Sequence, residues 1–157
     1  MSGPRLGRGR EEMAMSTKQI SVFLENKKGR LAEVTELLAG QGLNIRAMSL
    51  ADTVDFGVLR LIVNDPAACL KTLRAHDFAA QETDVLAVQI ADRPGSLHQV
   101  VEPLDRQGVN IEYMYTFFGK TGSNVIVVFK ADDPAKAAAA LAAAGVALLG
   151  ESVIQNL

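Results

Sequence analysis

The chain has 157 residues, of which 48% are hydrophobic and 22% charged, and its formal net charge is −2. This length suits one domain of ordinary size or two very small ones, and the composition is that of a folded chain and not of a disordered one. The weakly acidic balance excludes a general attraction to nucleic acid or to anionic membranes. The single cysteine, Cys69, excludes an intrachain disulfide and makes a cysteine-based metal site improbable.

The first sixteen residues, MSGPRLGRGREEMAMS, mix glycine, proline and arginine without an apolar period. We therefore expect a disordered tail over residues 1–16. The tail lacks the apolar central segment of a secretory signal, and no apolar run in the chain approaches the roughly 20 residues that span a bilayer. The expected location is the cytoplasm.

The elements that follow form a strand–helix–strand–strand–helix–strand order. Apolar alternation predicts strands, leucines at helical spacing predict the first helix, and Asp65 followed by Pro66 is a typical start for the second. The predicted elements are a strand at 18–25, a helix that Gly40 and Gly42 end, a hairpin at 44–51 and 57–63, a helix at 64–76 and a short strand at 79–85.

The second half of the chain repeats the first. GRLAEVTELLAGQGLNI (29–45) and GSLHQVVEPLDRQGVNI (95–111) lie 66 positions apart and agree at nine of seventeen places. The repeated elements are a strand at 85–92, a helix at 95–107, a hairpin at 110–118 and 124–131, a helix at 132–145 and a strand within 146–156. The chain is therefore a tandem duplication, with one domain over 17–84 and another over 85–157.

Each βαββαβ unit predicts an α+β fold of the ferredoxin-like type, an antiparallel four-stranded sheet with two helices on one face. Units this small bury little apolar area, and sheet edges need covering. We therefore expect the two units to pair side by side into an eight-stranded sheet with its helices on one face. Apolar residues on both faces of the second strands further predict a homodimer.

The stretch DRPGSLHQVVEPLDRQGVNIEYM (92–114) resembles the signature of ACT domains: an acidic residue, Pro-Gly, a helix, and Gly-φ-Asn-Ile opening the second strand. The first copy, ENKKGRLAEVTELLAGQGLNIRAM (25–48), departs from it by having Lys28 where Pro94 stands. The resemblance covers nearly all of residues 18–155. It implies a regulatory module that binds a small ligand, which in most ACT domains is an amino acid. It also implies that two copies pair through their second strands and hold the ligand at their interface.

The residues themselves also favour such a site. A glycine turn at a helix start exposes backbone N–H groups and the positive end of the helix dipole, which suit a carboxylate. The ammonium group needs acceptors such as the Asn44, Asn110, Asp92 and Glu25 side chains. The predicted ligand-binding residues are Glu25, Asn26, Lys28, Gly29, Arg30, Leu31, Asn44 and Ile45 in copy one, and Asp92, Arg93, Pro94, Gly95, Ser96, Leu97, His98, Asn110 and Ile111 in copy two.

Several of these residues could have a structural role instead of a role in ligand binding. Asn44 and Asn110 are also typical of turns in which the side chain bonds its own backbone. For Leu31 and Leu97 a core position is the favoured interpretation. Arg46 and Glu112 hold matching positions with opposite charge, which suggests a pair between the copies.

The leading interpretation is an amino-acid-binding regulatory protein without catalytic activity, or else a trans-acting regulatory subunit of an enzyme of amino-acid metabolism. A small-molecule enzyme and an RNA-binding module are the alternatives from other classes. No nucleophile–base pair is readable, and the two histidines have no second ligand at metal spacing, so no cofactor or metal is expected. The GKT motif (119–121) lacks the preceding glycine of a phosphate-binding loop and is expected to be a hairpin turn.

Overall fold

The computed structural model describes residues 16–52, 55–118 and 122–157. Nearly all of the expected N-terminal tail, and the GKT motif at 119–121, lie outside the described residues. The described chain divides into two compact units, one of Lys18–Asp84 with Gln155–Leu157 and one of Val85–Ile154 with Ser16 and Thr17. The last three residues, which the sequence analysis assigned to the second copy, thus group with the first unit.

The first unit is an antiparallel sheet with two helices. Strand β3 pairs with β1 on one side, where Leu61 lies opposite Ile20, and with β2 on the other, where Leu61 lies opposite Met48. The elements are β1 (Thr17–Glu25), α1 (Arg30–Gly40), β2 (Ile45–Asp52), β3 (Phe56–Val63), α2 (Pro66–Ala75) and the beginning of β4 (Ala79–Ala91).

The second unit repeats this arrangement. Strand β6 pairs antiparallel with β4, where Val127 lies opposite Val88, and with β5, where Phe129 lies opposite Met114. Its elements after β4 are α3 (Ser96–Arg106), β5 (Ile111–Thr116), β6 (Asn124–Ala131), α4 (Pro134–Ala143) and the short α5 (Glu151–Gln155). The predicted α+β class is confirmed for both units.

The described residues form six named strands where the sequence analysis expected eight. The predicted last strand of copy one and first strand of copy two are a single strand, β4, because AAQETDVLAVQIA contains no glycine or proline to interrupt it. The predicted final strand is reduced to one bridge between Leu148 and Val88, with the Leu149 N–H donating to the Ala87 carbonyl at 2.8 Å.

Two helix starts follow directly from local sequence chemistry. The Asp65 carboxylate accepts the backbone N–H of Ala68 at 3.1 Å, and Asp133 does the same for Lys136 at 3.1 Å. A proline follows each aspartate at the first helical position, where its missing N–H costs nothing. The predicted starts of α2 and α4 are confirmed.

Each unit has its own core between its helices and one face of its sheet. Burial raises the pKa of the Cys69 thiol to about 12, so Cys69 is a packed residue and not a nucleophile, as expected. The first core contains Ile20, Val22, Val34, Leu38, Leu59, Leu61, Cys69 and Leu73, and the second contains Leu86, Val88, Val100, Leu104, Val127, Phe129, Ala137 and Leu141. In the described part of the chain, no helix is long and apolar enough to cross a membrane.

Candidate ligand-binding site

The turn between β4 and α3 leaves the start of the helix open. Gly95 is the N-cap residue of α3 and adopts a left-handed conformation with φ 87° and ψ −12°, without a side chain to cap the helix. A Cβ on Gly95 would meet no atom within 4 Å, so the requirement for glycine here is conformational and not spatial. The first-turn N–H groups of an α-helix have no partner within the helix, and they carry the positive end of its dipole.

A cavity of about 380 Å³ lies beside this turn. Its floor is apolar and belongs to the sheet face that carries the core of the second unit, since Val127 is in that core and both Ile90 and Met114 pack against it. Its rim is polar and comes from the turn and the first residues of α3: Asp92, Arg93, Gly95, Ser96, Leu97 and His98. The cavity therefore combines a helix start, a charged rim and an apolar floor.

Ser96, the first residue of α3, is the most informative residue of this cavity. Ser96 is one of the residues that line the cavity, it is only 5% exposed, and among the described residues its Oγ has no hydrogen-bond partner. A buried hydroxyl without a partner costs roughly 1–3 kcal/mol. A ligand atom that hydrogen-bonds this hydroxyl would remove that cost.

His98 lies at the mouth of the cavity, where its side chain is 74% exposed. Its Nε2 atom is 3.9 Å from the Glu102 carboxylate, which also accepts a hydrogen bond from Arg106 at 2.6 Å. These three residues follow one another at four-residue spacing on the surface of α3. Of the three, only His98 lines the cavity.

The cavity brings together six of the residues predicted for copy two and leaves three aside. Pro94 lies in the turn but does not line the cavity, and Asn110 and Ile111 are also absent from its walls. The Asn110 N–H donates to the Asp132 carboxylate at 3.0 Å, and its carbonyl accepts the Asp132 N–H at 3.0 Å. The backbone of Asn110 thus joins the start of β5 to the loop before α4.

Two kinds of residue escaped the sequence analysis or were placed wrongly. The floor residues Ile90, Met114 and Val127 were missed, although their alternation along the strands puts them on one face. Leu31 and Leu97 were favoured as core residues, yet they are 36% and 42% exposed, and Leu97 lines the cavity.

The corresponding turn of copy one is occupied by ion pairs. Gly29 has nearly the same conformation as Gly95, with φ 90° and ψ −16°. Arg30 stands where copy two has Ser96, and its guanidinium binds Glu25 at 3.1 Å and Glu33 at 3.0 Å. Lys27 also binds Glu25, at 3.1 Å, and these two cations, Lys27 foremost, hold the pKa of Glu25 below its ordinary value. At the start of α1, copy one therefore has ion-paired side chains where copy two has a cavity at the start of α3.

The other residues predicted in copy one have separate positions. Asn26, Lys28 and Asn44 are exposed, and the Asn44 N–H donates to the Asn64 side chain at 2.9 Å. Ile45 packs against the core of the first unit. Glu25 and Arg30 line a different cavity, at the end of β1.

The two residues expected to pair between the copies each have a partner within their own unit. Arg46 donates to the backbone carbonyls of Gln155, at 3.1 Å, and of Leu157. Glu112 lies 3.4 Å from the Lys130 ammonium. Among the residues that the structure describes, no group of three or more His, Cys, Asp or Glu side chains is placed to hold a metal ion.

Comparison with known proteins identifies the family. The family model described as an ACT domain pair matches residues 15–156, so the chain belongs to that family, whose domains are regulatory modules. The chain is similar to the crystal structure of protein BT0572 from Bacteroides thetaiotaomicron, with 41% identity and a TM-score of 0.85, over 92% of this chain and 99% of that one.

The fold also occurs in named regulatory subunits. The regulatory subunit of aspartate kinase from Thermus thermophilus, in its ligand-free form, is 17% identical with a TM-score of 0.61, over 84% of this chain and 95% of that one. The corresponding subunit from Thermus flavus is 19% identical with a TM-score of 0.55, over 82% and 92% of the two chains. At these identities the likeness is one of fold. A search of curated proteins finds no match.

Proposed function

We propose that this ACT domain pair is a non-catalytic regulatory protein that binds a free amino acid in the cavity beside α3. The observation that carries the proposal is Ser96, a buried hydroxyl without a partner among the described residues, at the open start of a helix. A helix start with free N–H groups is a ready-made site for a carboxylate. The Ser96 hydroxyl adds a further donor to the same carboxylate.

In this proposal the ammonium group of the ligand binds at the rim of the cavity. Asp92 is the carboxylate of the turn that lines the cavity, and it lies three residues before Gly95. An ammonium ion that donates to Asp92 while the ligand carboxylate faces the helix start would fix the amino-acid backbone at both ends. A ligand that has only one of these groups would lose one of the two anchors.

The floor favours an uncharged, apolar ligand side chain. Ile90, Met114, Val125 and Val127 offer hydrocarbon surface and no charge. Burying a charged side chain against this surface would cost free energy without a partner to offset it, whereas an aliphatic side chain or a thioether gains from burial. The proposed ligands are therefore apolar amino acids such as valine, leucine, isoleucine, methionine and phenylalanine.

We further propose one such site per chain, in copy two. In copy one the Arg30 side chain and its partners Glu25 and Glu33 fill the corresponding turn. The resemblance to ACT domains had suggested a ligand at the interface of the two repeats, whereas the present proposal places it within the second unit. The homodimer and the cytoplasmic location stay proposals. Regulation would pass to a partner, since regulatory subunits of aspartate kinase share the fold.

Catalysis and RNA binding have less support. In the described part of the chain, the cavity has no cysteine, and His98 at its mouth has only an exposed glutamate, Glu102, nearby as a titratable partner. The aromatic Tyr115 and Phe117, which an RNA-stacking strand would expose, are 8% and 9% exposed.

The experiment is a thermal-unfolding screen of the full chain against the twenty amino acids, each compared with its decarboxylated amine and its deaminated acid. Apolar amino acids should raise the melting temperature, and a ligand at one hundred times its Kd should add roughly 2.7 kcal/mol of stability. For the aliphatic amino acids and methionine, the amine and the acid should each stabilise less, because each lacks one anchor. Stabilisation by the acid alone would contradict the assignment of Asp92.

A further inference from the structure

The first unit contains a second cavity, of about 460 Å³, at the end of β1 and the beginnings of β3 and β4. Three phenyl rings line it, those of Phe23, Phe56 and Phe78. Phe23 is 41% exposed and Phe56 is 52% exposed, which is unusual for side chains of this size in a small folded unit. The cavity therefore presents aromatic surface to solvent.

The polar groups of this cavity are mainly hydrogen-bond acceptors. His76 Nδ1 lies 2.9 Å from the Thr72 carbonyl oxygen, which can only accept, so Nδ1 is the donor and Nε2 of the neutral ring carries a lone pair. The Asp77 carboxylate lines the cavity beside it, and no partner for it occurs among the described residues. Glu25 adds a second carboxylate, which is already ion-paired with Lys27 and Arg30, at 3.1 Å each.

Arg30, the cation that the described residues place in the wall, is already paired. The Arg30 guanidinium donates one amino group to Glu25 and the other to Glu33, and it lies over the Phe78 ring at 5.9 Å from the centroid. It therefore acts as part of the wall and is a poor donor for an incoming anion. A ligand that enters this cavity meets phenyl faces and acceptors.

The duplication supplies an internal comparison. Copy two builds the same turn, helix end and strand pairing without any of these side chains, so the fold does not require them. The counterparts of Phe23, Glu25, Arg30, Phe56, His76, Asp77 and Phe78 are Gln89, Ala91, Ser96, Asn124, Ala144, Gly145 and Val146.

Asp77 illustrates the difference most clearly. It has φ 63°, and it is the one residue other than glycine with positive φ in the described chain, while its counterpart Gly145 has φ 77°. A side chain with a Cβ is disfavoured in this conformation, and glycine is not. Copy one thus places a carboxylate at a position where the backbone alone would favour glycine.

We propose that this cavity binds an organic ammonium ion. The ammonium group donates to the Asp77 carboxylate, and its hydrocarbon body lies against the rings of Phe23 and Phe56. Phenyl faces attract cations through their quadrupole, and carboxylates accept charge-assisted hydrogen bonds from them. This site is separate from the amino-acid cavity of the second unit and does not depend on it.

Isothermal titration calorimetry on the full chain carrying Ser96→Arg tests the proposal, with 2-phenylethylammonium as the probe. The Ser96→Arg change closes the amino-acid cavity of the second unit, which is necessary because 2-phenylethylammonium and 3-phenylpropionate are also the decarboxylated and deaminated forms of phenylalanine. The matched control is 3-phenylpropionate, which has a similar body and the opposite charge. Saturable binding of the ammonium ion without binding of the carboxylate is the expected result. Absence of binding by both compounds, or equal binding of both, would overturn the proposal.

Variants that carry the copy-two residues locate the site. Asp77→Gly and Phe56→Asn should each weaken the binding of 2-phenylethylammonium about tenfold, and both should stay folded because Gly145 and Asn124 occupy the same positions in copy two. Glu36→Gln, an exposed carboxylate on α1, should leave the affinity unchanged. Equal losses of affinity in all three variants would indicate only a general effect of charge and would overturn the proposal. Wild-type affinity in both Asp77→Gly and Phe56→Asn would also overturn it.

Discussion

Arg30 and Ser96 hold the same position in the two copies, directly after the left-handed glycine that opens each first helix. Arg30 forms ion pairs with Glu25 and Glu33, whereas Ser96 is buried with an unpartnered hydroxyl. The partners of Arg30 are also missing from copy two, where Ala91 and Gln99 hold the positions of Glu25 and Glu33. The proposal of an amino-acid site in copy two rests on this asymmetry.

Ser96→Ala should have opposite effects on the free and the ligand-bound protein. Without ligand, removing a buried hydroxyl that lacks a partner should leave the free energy of unfolding unchanged or raise it by up to about 1 kcal/mol. With a saturating apolar amino acid, the added stabilisation should be smaller than in the wild type. Urea denaturation with and without ligand measures both effects.

Ser123→Ala is the control for this prediction, because Ser123 is an exposed serine in the same unit. It should change neither the free energy of unfolding nor the stabilisation by ligand. A clear loss of stability in ligand-free Ser96→Ala would show that the hydroxyl already has a partner.

The helix starts could be predicted from sequence because their chemistry is local. An aspartate followed by a proline fixes a cap and a first turn within four residues, and both Asp65 and Asp133 behave accordingly. The glycine turn at Gly95 was predicted for the same reason. Such features depend on neighbours in the chain and not on the rest of the fold.

The cavity floor could not be predicted in the same way. Ile90 and Val125 are far apart in sequence and become neighbours through the register of β4 with β6. The unbroken course of β4 was also missed, since the repeat suggested a boundary at Asp84 that the chain does not mark with a breaker. Register and continuity are set by tertiary pairing, which a repeat pattern does not contain.

Gly95→Ala should destabilise the protein by about 1–2 kcal/mol, because alanine is disfavoured at φ 87°. Gly40→Ala is the matched control. Gly40 is the last residue of α1, its φ is not positive, and a Cβ there would meet no atom within 4 Å. Alanine at this position should be neutral or stabilising by up to about 1 kcal/mol. Equal effects of the two variants in chemical denaturation would contradict the conformational argument.

The interactions of Lys18 with two carboxylates should make the protein lose stability at alkaline pH. Its ammonium forms a hydrogen bond with Asp84 and lies 3.5 Å from Glu82, and the Asp84 bond in particular raises the pKa of Lys18 above its ordinary value of 10.5. A raised pKa in the folded state contributes stability below the unfolded-state pKa, and this stability is lost as pH rises through the folded-state pKa.

Lys18→Met should therefore lose less stability than the wild type when the pH is raised above 10.5, the ordinary value. The difference should stay within about 1 kcal/mol, since the pair is partly solvated. Lys71→Met, an exposed lysine on α2, should follow the wild-type profile. Identical profiles for Lys18→Met and the wild type would contradict the assignment.

Leu104 and Leu97 test which face of α3 carries the packing. Leu104 is 1% exposed, and Leu104→Ala should cost about 2–5 kcal/mol through the cavity it leaves. Leu97 is 42% exposed, and Leu97→Ala should cost less than about 1 kcal/mol. Because Leu97 lines the ligand cavity, its truncation should weaken amino-acid binding more than it weakens the fold. Urea denaturation and calorimetry separate the two effects.

The most direct test of the proposed function is the stoichiometry of amino-acid binding, measured by isothermal titration calorimetry with the apolar amino acid that stabilises the full chain most. We expect one molecule per chain, no binding to Ser96→Arg, which installs the copy-one residue, and unchanged binding to Arg30→Ser. Unchanged affinity in a folded Ser96→Arg variant, or the absence of binding by every apolar amino acid, would contradict the account.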